Sequence, residues 1–104
     1  MISALKNLFE KKSSINYKAL INEGAIILDV RSKEEYEIGH VPGSINIPLD
    51  KLLHNLDKLK DKMKPIILCC ASGMRSSSAK NLLQSKGYVA LYNAGGWSSL
   101  QSQL

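Results

Sequence analysis

The sequence predicts an α/β domain built on a mostly parallel sheet with helices on both faces. Three observations predict it: short continuous apolar runs at Ala25–Val30 and Pro65–Ala71, helical apolar spacing between such runs, and turn residues at the junctions. An apolar run without polar alternation suits a strand buried on both faces, and strands interleaved with helices give right-handed parallel crossovers. The 104 residues are enough for one such domain and too few for a second.

Ile2, Leu5, Leu8 and Phe9 recur at helical spacing, so residues 2–11 are expected as a short amphipathic helix on the surface. A second short helix follows over Tyr17–Asn22 and ends near Gly24, and Ala25–Val30 is the first buried strand. Ser32-Lys33-Glu34-Glu35 has the form of a capping box, which opens a helix ending by Gly39. Pro42-Gly43 is a turn, and Ile45-Asn46-Ile47 is a brief strand closed by Pro48. Leu49, Leu52, Leu53, Leu56 and Leu59 then make one apolar stripe of a helix that faces the sheet. Pro65 opens a strand over Ile66–Cys69, followed by a loop of small residues and a helix from about Ser76 to Lys86. Ala79, Leu82 and Leu83 point inward on that helix, and Gly87 stands at its C-terminal cap. Tyr88–Tyr92 is the last strand, and Asn93-Ala94-Gly95-Gly96 reads as a turn into a closing segment with Trp97 and Leu100.

Composition narrows the function classes. A chain 44% hydrophobic and 22% charged is an ordinary globular one. No apolar run approaches the roughly 20 residues that span a bilayer, and Lys6 and Glu10 interrupt any leader-like segment. Cys69 and Cys70 are adjacent and cannot staple a fold, so reduced thiols in a cytoplasm are expected. The net charge of +5 favours anionic ligands through the long-range field. Nucleic acid is not an expected partner, because aromatics are only 6% and the lysines are dispersed.

The segment Cys70-Ala71-Ser72-Gly73-Met74-Arg75-Ser76 sits where a buried strand gives way to a helix, the edge of an α/β sheet at which ligands bind. Small residues let the loop curl so that its N–H groups point inward, and the helix start adds free amides and a positive dipole end. A sulfur on the floor of such a cradle favours the thiolate, so Cys70 should ionise below the free value of about 8.5 and act as a nucleophile. Arg75 is expected either to meet an oxyanion or to steady the loop through nearby carboxylates, with Ser76 as helix N-cap.

Cys70-x-x-Gly73-x-Arg75-Ser76 after a strand resembles the active-site loop of the single-domain rhodanese family of sulfurtransferases. Ile27-Leu28-Asp29-Val30-Arg31, Glu35-Tyr36 and the run Gly39-His40-Val41-Pro42-Gly43-Ser44-Ile45-Asn46-Ile47-Pro48 resemble its upstream signature. Asn93-Ala94-Gly95-Gly96-Trp97 resembles its C-terminal glycine pair. The likeness covers about residues 14–100, which sets a domain at 14–104 and leaves 1–13 as an N-terminal extension. It implies a three-layer rhodanese-like sandwich on a parallel five-stranded sheet, and thiosulfate:cyanide sulfurtransferase-like transfer through a persulfide on Cys70. The backbone amides of Ala71, Ser72, Gly73, Met74 and Arg75 would stabilise that persulfide. The implied donor is a small anionic sulfur compound such as thiosulfate, a polysulfide or a persulfide; the acceptor is a thiol, cyanide or a protein. No metal or organic cofactor is implied, and a monomer is expected.

Two departures bear on the donor and on Trp97. Relatives that prefer thiosulfate often carry basic residues directly after the cysteine, where this chain has Ala71 and Ser72. Trp97 follows the glycine pair directly and is read as packing. Asp29 and Arg31 are read as an ion pair or hydrogen-bond network that fixes the loop, His40 as a turn residue and not the base of a Cys/His dyad, and His54 as solvent-facing. Cys69-x5-Arg75 also satisfies the spacing of cysteine-dependent phosphatases or arsenate reductases, but that register needs the strand to end at Cys69 and an acid for the leaving group. A module that only binds a partner is the other alternative.

Overall fold

The computed structural model describes residues 15–104, and both the helix expected over residues 2–11 and the extension 1–13 lie outside them. Asn16 caps the first helix, α1 (Tyr17–Asn22), its side chain accepting from the Ala19 N–H at 3.0 Å. Strand β1 (Ile26–Asp29) leads into α2 (Lys33–Ile38), which opens with the full reciprocal capping box of Ser32 and Glu35. A two-residue strand, β2 (Ile45–Asn46), precedes a 3-10 segment (Leu49–Leu59). Strand β3 (Ile66–Cys70), helix α3 (Met74–Ser85), strand β4 (Leu91–Gly96) and helix α4 (Trp97–Ser102) complete the order.

The strands pair in the order β2-β1-β3-β4, every pair parallel, with Ile26 beside Ile66 and Asp29 beside Cys69. Alternation along the strands sends successive side chains to opposite layers. Leu28, Ile66, Leu68 and Cys70 join Leu52, Leu59, Ala79 and Leu83 on one face, while Ile27, Ile67 and Cys69 join Leu20, Ile21 and Leu100 on the other. The α/β sandwich with helices on both faces is therefore present, but the sheet has four strands among the described residues, not five. Residues 15–25 supply no further strand because Tyr17–Asn22 is wound into α1.

Four element readings change. The leucine-striped segment is not one regular α-helix: it is 3-10 in character and breaks at Asn55, where φ is −129° and ψ 25°. At three residues per turn, Leu49 and Leu52 share a face, as do Leu56 and Leu59, and the kink absorbs the extra residue between the two pairs. Leu53 falls off that face and is 46% exposed. Strand β3 runs one residue further than expected, through Cys70. Helix α3 starts at Met74, earlier than expected, and Gly73 at φ +102° takes the cap position assigned to Ser76. Finally, Asn93–Gly96 is the end of β4 and not a turn, while Tyr88 belongs to the C-terminal cap of α3, its N–H bonding the Leu83 carbonyl at 3.1 Å. Ala94 is the extra residue of a bulge, since Leu68 pairs with Asn93 and Cys69 with Gly95.

Candidate active site

Cys70 ends β3 and points toward the α3 layer, so its sulfur lies beneath the start of α3. Gly73 N–H donates to Sγ at 2.9 Å, Ser76 N–H donates at 3.4 Å, and Ser76 Oγ lies 3.3 Å away. Ser76 is the third residue of α3, whose N–H has no partner one turn back in the helix, and the sulfur takes that free amide. The loop closes tightly enough to leave Cys70 1% exposed. Burial opposes ionisation of the thiol, but hydrogen bonds from the Ser76 hydroxyl and the N–H groups of Ser76, Gly73 and Ser72 outweigh it and bring Cys70 below its ordinary value.

Strand β4 makes room for this loop. A Cβ on Gly96 would lie 3.0 Å from the Ala71 carbonyl oxygen, and one on Gly73 would lie 3.3 Å from Gly95 Cα. The glycine pair thus lets the loop lie directly on β4. Of the predicted cradle residues, Ser72 and Gly73 turn amides to the sulfur, whereas Ala71 and Met74 are exposed and make no hydrogen bond to it. Arg75 is drawn away from the sulfur: its guanidinium meets the Glu35 carboxylate in a two-pronged pair at 2.6 and 3.0 Å. Arg75, aided by the Ser32 N–H, holds the Glu35 carboxyl at about 2. Of the two roles expected for Arg75, the structure places it in the steadying one.

Three groups to which the sequence reading gave no part at the sulfur complete the site. Glu35 anchors Arg75 from 40 positions away, and Ser76 and Asn93 form a hydrogen-bonded pair at 2.6 Å beside the sulfur. The capping box already marked Glu35 as a helix-start residue; no local signal connected Asn93 to Ser76.

The neighbouring cysteine is chemically different. Cys69 points to the other layer, is fully buried, and its thiol is pushed up to about 12 by desolvation, with Asp29 and Cys70 adding to the effect and Arg31 offsetting part of it. With β3 continuing past it, Cys69 does not stand at a strand end, which removes the register that a phosphatase loop requires. Asp29 and Arg31 form a buried ion pair as expected, Arg31 Nη2 to Asp29 Oδ2 at 2.7 Å, but it braces the α2 end and not the cysteine loop, Arg31 donating to the Gly39 carbonyl at 2.6 Å. The Trp97 ring lies 4.8 Å from the Arg31 guanidinium and against Gly39, so it packs this corner. His40 donates from Nδ1 to the Tyr36 carbonyl at 2.7 Å and stacks on the Tyr36 ring, so no Cys/His dyad forms. His54 is exposed. An open depression of about 500 Å³ lies beside the loop, between Ser32–Glu34 and Pro48–Lys51, with Arg75 on its wall; Cys70 does not line it. Among the described residues no cluster of His, Cys, Asp and Glu could hold a metal ion, and no helix is long and apolar enough to cross a membrane.

Residues 13–103 match the family model described as a rhodanese-like domain. The thiosulfate sulfurtransferase PspE of Escherichia coli is 39% identical over 70 residues, covering 66% of this chain and 67% of that protein. A tRNA sulfurtransferase of Thermoplasma acidophilum is 30% identical over 93 residues, 89% of this chain, but the chain spans only 18% of that protein's length. A solved human single-domain sulfurtransferase superposes with a TM-score of 0.74 at 28% identity, covering 85% of this chain and 91% of that one.

Proposed function

The chain belongs to the rhodanese-like domain family, and on that premise we propose that it moves sulfane sulfur from a donor to a thiophilic acceptor through a persulfide on Cys70. The observation that carries this reading is the sulfur of Cys70 at a strand end, held by the N–H groups of Gly73 and Ser76 among others and by the Ser76 hydroxyl. The thiolate attacks the outer sulfur of the donor; an S–S bond forms on Cys70 as the donor's S–S bond breaks, and the leaving group, sulfite in the case of thiosulfate, departs with the electron pair. An acceptor thiolate or cyanide then attacks the terminal sulfur, and Cys70 leaves as the thiolate it was. The amides that hold the thiolate also stabilise Cys70 Sγ as it departs with its electron pair in this second step.

The donor follows from the lip of the loop. Ala71, Ser72 and Met74 are exposed and uncharged, and Arg75, the cation of the loop, is neutralised by Glu35. That lip gives a dianion such as thiosulfate little charge to meet, which favours polysulfides and organic persulfides as donors. The acceptor is a thiol, cyanide or a protein thiol, no metal or organic cofactor takes part, and a reducing cytoplasm suits the two free thiols. Turnover assays with thiosulfate, polysulfide and glutathione persulfide test both statements. Cys70→Ser should lose transfer from every donor while keeping its circular dichroism spectrum, and wild type should use polysulfide more efficiently than thiosulfate. Undiminished transfer by Cys70→Ser would end the reading.

A further inference from the structure

Ser76 has one hydroxyl proton and three acceptors within reach. Its Oγ lies 2.6 Å from Asn93 Oδ1, 3.2 Å from the Gly73 carbonyl oxygen and 3.3 Å from Cys70 Sγ. The orientation of the Asn93 amide is fixed independently of Ser76. The Gly95 N–H, which can only donate, meets Oδ1 at 3.0 Å, and Nδ2 donates to the Gly73 carbonyl at 3.2 Å. Oδ1 is therefore the atom that faces Ser76, and it offers the shortest of the three contacts. A hydroxyl that donates to Asn93 cannot at the same moment donate to sulfur. While Cys70 is a thiol there is no conflict, because S–H donates to Ser76 Oγ and Ser76 donates to Asn93. Once Cys70 is a thiolate it has no proton to give, and the Ser76 hydroxyl must swing away from Asn93 to reach it.

We propose that Asn93 is a positioning residue that tunes Cys70 by competing with its sulfur for the single hydroxyl proton of Ser76. The proposal rests on Cys70 being the reacting thiol, and it adds a control on that thiol. On ionisation the S–H proton passes to solvent, the Ser76 O–H turns to Sγ, and Asn93 Oδ1 is left with the Gly95 N–H as donor, so no buried acceptor is orphaned. The Nδ2 bond to the Gly73 carbonyl holds the loop in both states. Asn93 itself touches no reacting atom. Its place follows from the bulge: Asn93 is the last residue of β4 in register before the extra residue Ala94, and its side chain closes the bend onto the Gly95 N–H.

The test is the pH dependence of Cys70 alkylation by iodoacetamide, mapped to its peptide, in wild type, Ser76→Ala, Asn93→Leu and the double variant. The ionisable groups around Cys70 are Cys69, Arg75 with its partner Glu35, and the buried Asp29–Arg31 pair, and none of these variants changes them. Ser76→Ala should raise the midpoint. Asn93→Leu should lower it and speed alkylation below the midpoint by about five- to tenfold, the size of the neutral Ser76–Asn93 hydrogen bond that ionisation no longer has to break. In the Ser76→Ala background Asn93→Leu should no longer lower the midpoint, because no hydroxyl is left to compete for and the lost Nδ2 bond only loosens the loop that carries the Gly73 N–H. A merely structural Asn93 would shift the midpoint equally in both backgrounds, or raise it in wild type, and either result overturns the proposal. Should thermal melting show that Asn93→Leu does not fold, Asn93→Ala makes the same comparison. The unaltered protein gives an independent readout: the Gly95 amide proton, sharing Oδ1 with Ser76, should titrate with Cys70 in NMR spectra, and a flat Gly95 resonance also overturns the proposal. These readouts need no sulfur transfer, so loss of the proposed activity alone would leave the role of Asn93 standing.

Discussion

Replacing Glu35 by Gln isolates the ion pair that ties the loop to α2. Glutamine at this position still accepts the Ser32 N–H, so the capping box survives, while the charge facing Arg75 is gone. A carboxyl drawn from 4.5 down to about 2 by Arg75 would carry about 3 kcal/mol at face value. Both side chains are more than a third exposed, at 37% and 38%, and solvent screening brings the expected contribution down to about 1 kcal/mol. Because the folded-state value is the depressed one, that stability is fully present above pH 4.5 and is lost as the pH falls through about 2. Urea unfolding followed by circular dichroism measures it, urea being chosen because guanidinium chloride would screen the pair. Wild type should exceed Glu35→Gln by about 1 kcal/mol at neutral pH, with the gap shrinking in high salt and closing toward pH 2. A gap independent of pH and salt would refute the reasoning, since it would trace to packing and not to charge.

Other changes probe the remaining supports. Cys69→Ala should retain sulfur transfer in a turnover assay, and peptide mapping after iodoacetamide should find Cys69 resistant to alkylation at pH 8 in folded wild type, because its thiol is held up at about 12. Gly39→Ala should destabilise the fold by about 1–3 kcal/mol through overpacking, because its new methyl would lie 2.9 Å from the Trp97 ring. Gly39 has an extended backbone at φ −178°, so the cost is steric alone, and a companion Trp97→Leu change should recover part of it in thermal melts. Tyr88→Phe removes a buried hydroxyl that donates to the Leu59 carbonyl at 2.6 Å and should cost about 1–2 kcal/mol in urea unfolding without altering transfer.

Much of this molecule is legible where the physics is local. The capping box, the uninterrupted Ile66–Leu68 run and Gly87 after α3 each depend on residues a few positions apart, and each folds as read. The leucine stripe misleads because i, i+3 pairs fit both 3.6 and 3.0 residues per turn, and only the step at Asn55 separates them. Asn-Ala-Gly-Gly has turn composition, yet pairing with β3 holds it in the sheet as a bulge, an outcome set by a strand more than 20 residues away. The site divides the same way. Strand, small loop and helix mark Cys70, whereas Glu35 meeting Arg75 and Asn93 meeting Ser76 are contacts across the fold with no local pattern. The opposite facing of the two cysteines follows from β3 running through Cys70, one residue past the expected strand end, so that alternation turns them to opposite layers.

The most direct measurement is intact-protein mass spectrometry after incubation with polysulfide or thiosulfate, before and after cyanide, with peptide mapping. Cys70 should gain one sulfur atom and Cys69 none, and cyanide should remove it completely. No gain from any donor while Cys70 remains free and alkylatable, or a cyanide-labile sulfur on Cys69, would contradict sulfur transfer through Cys70.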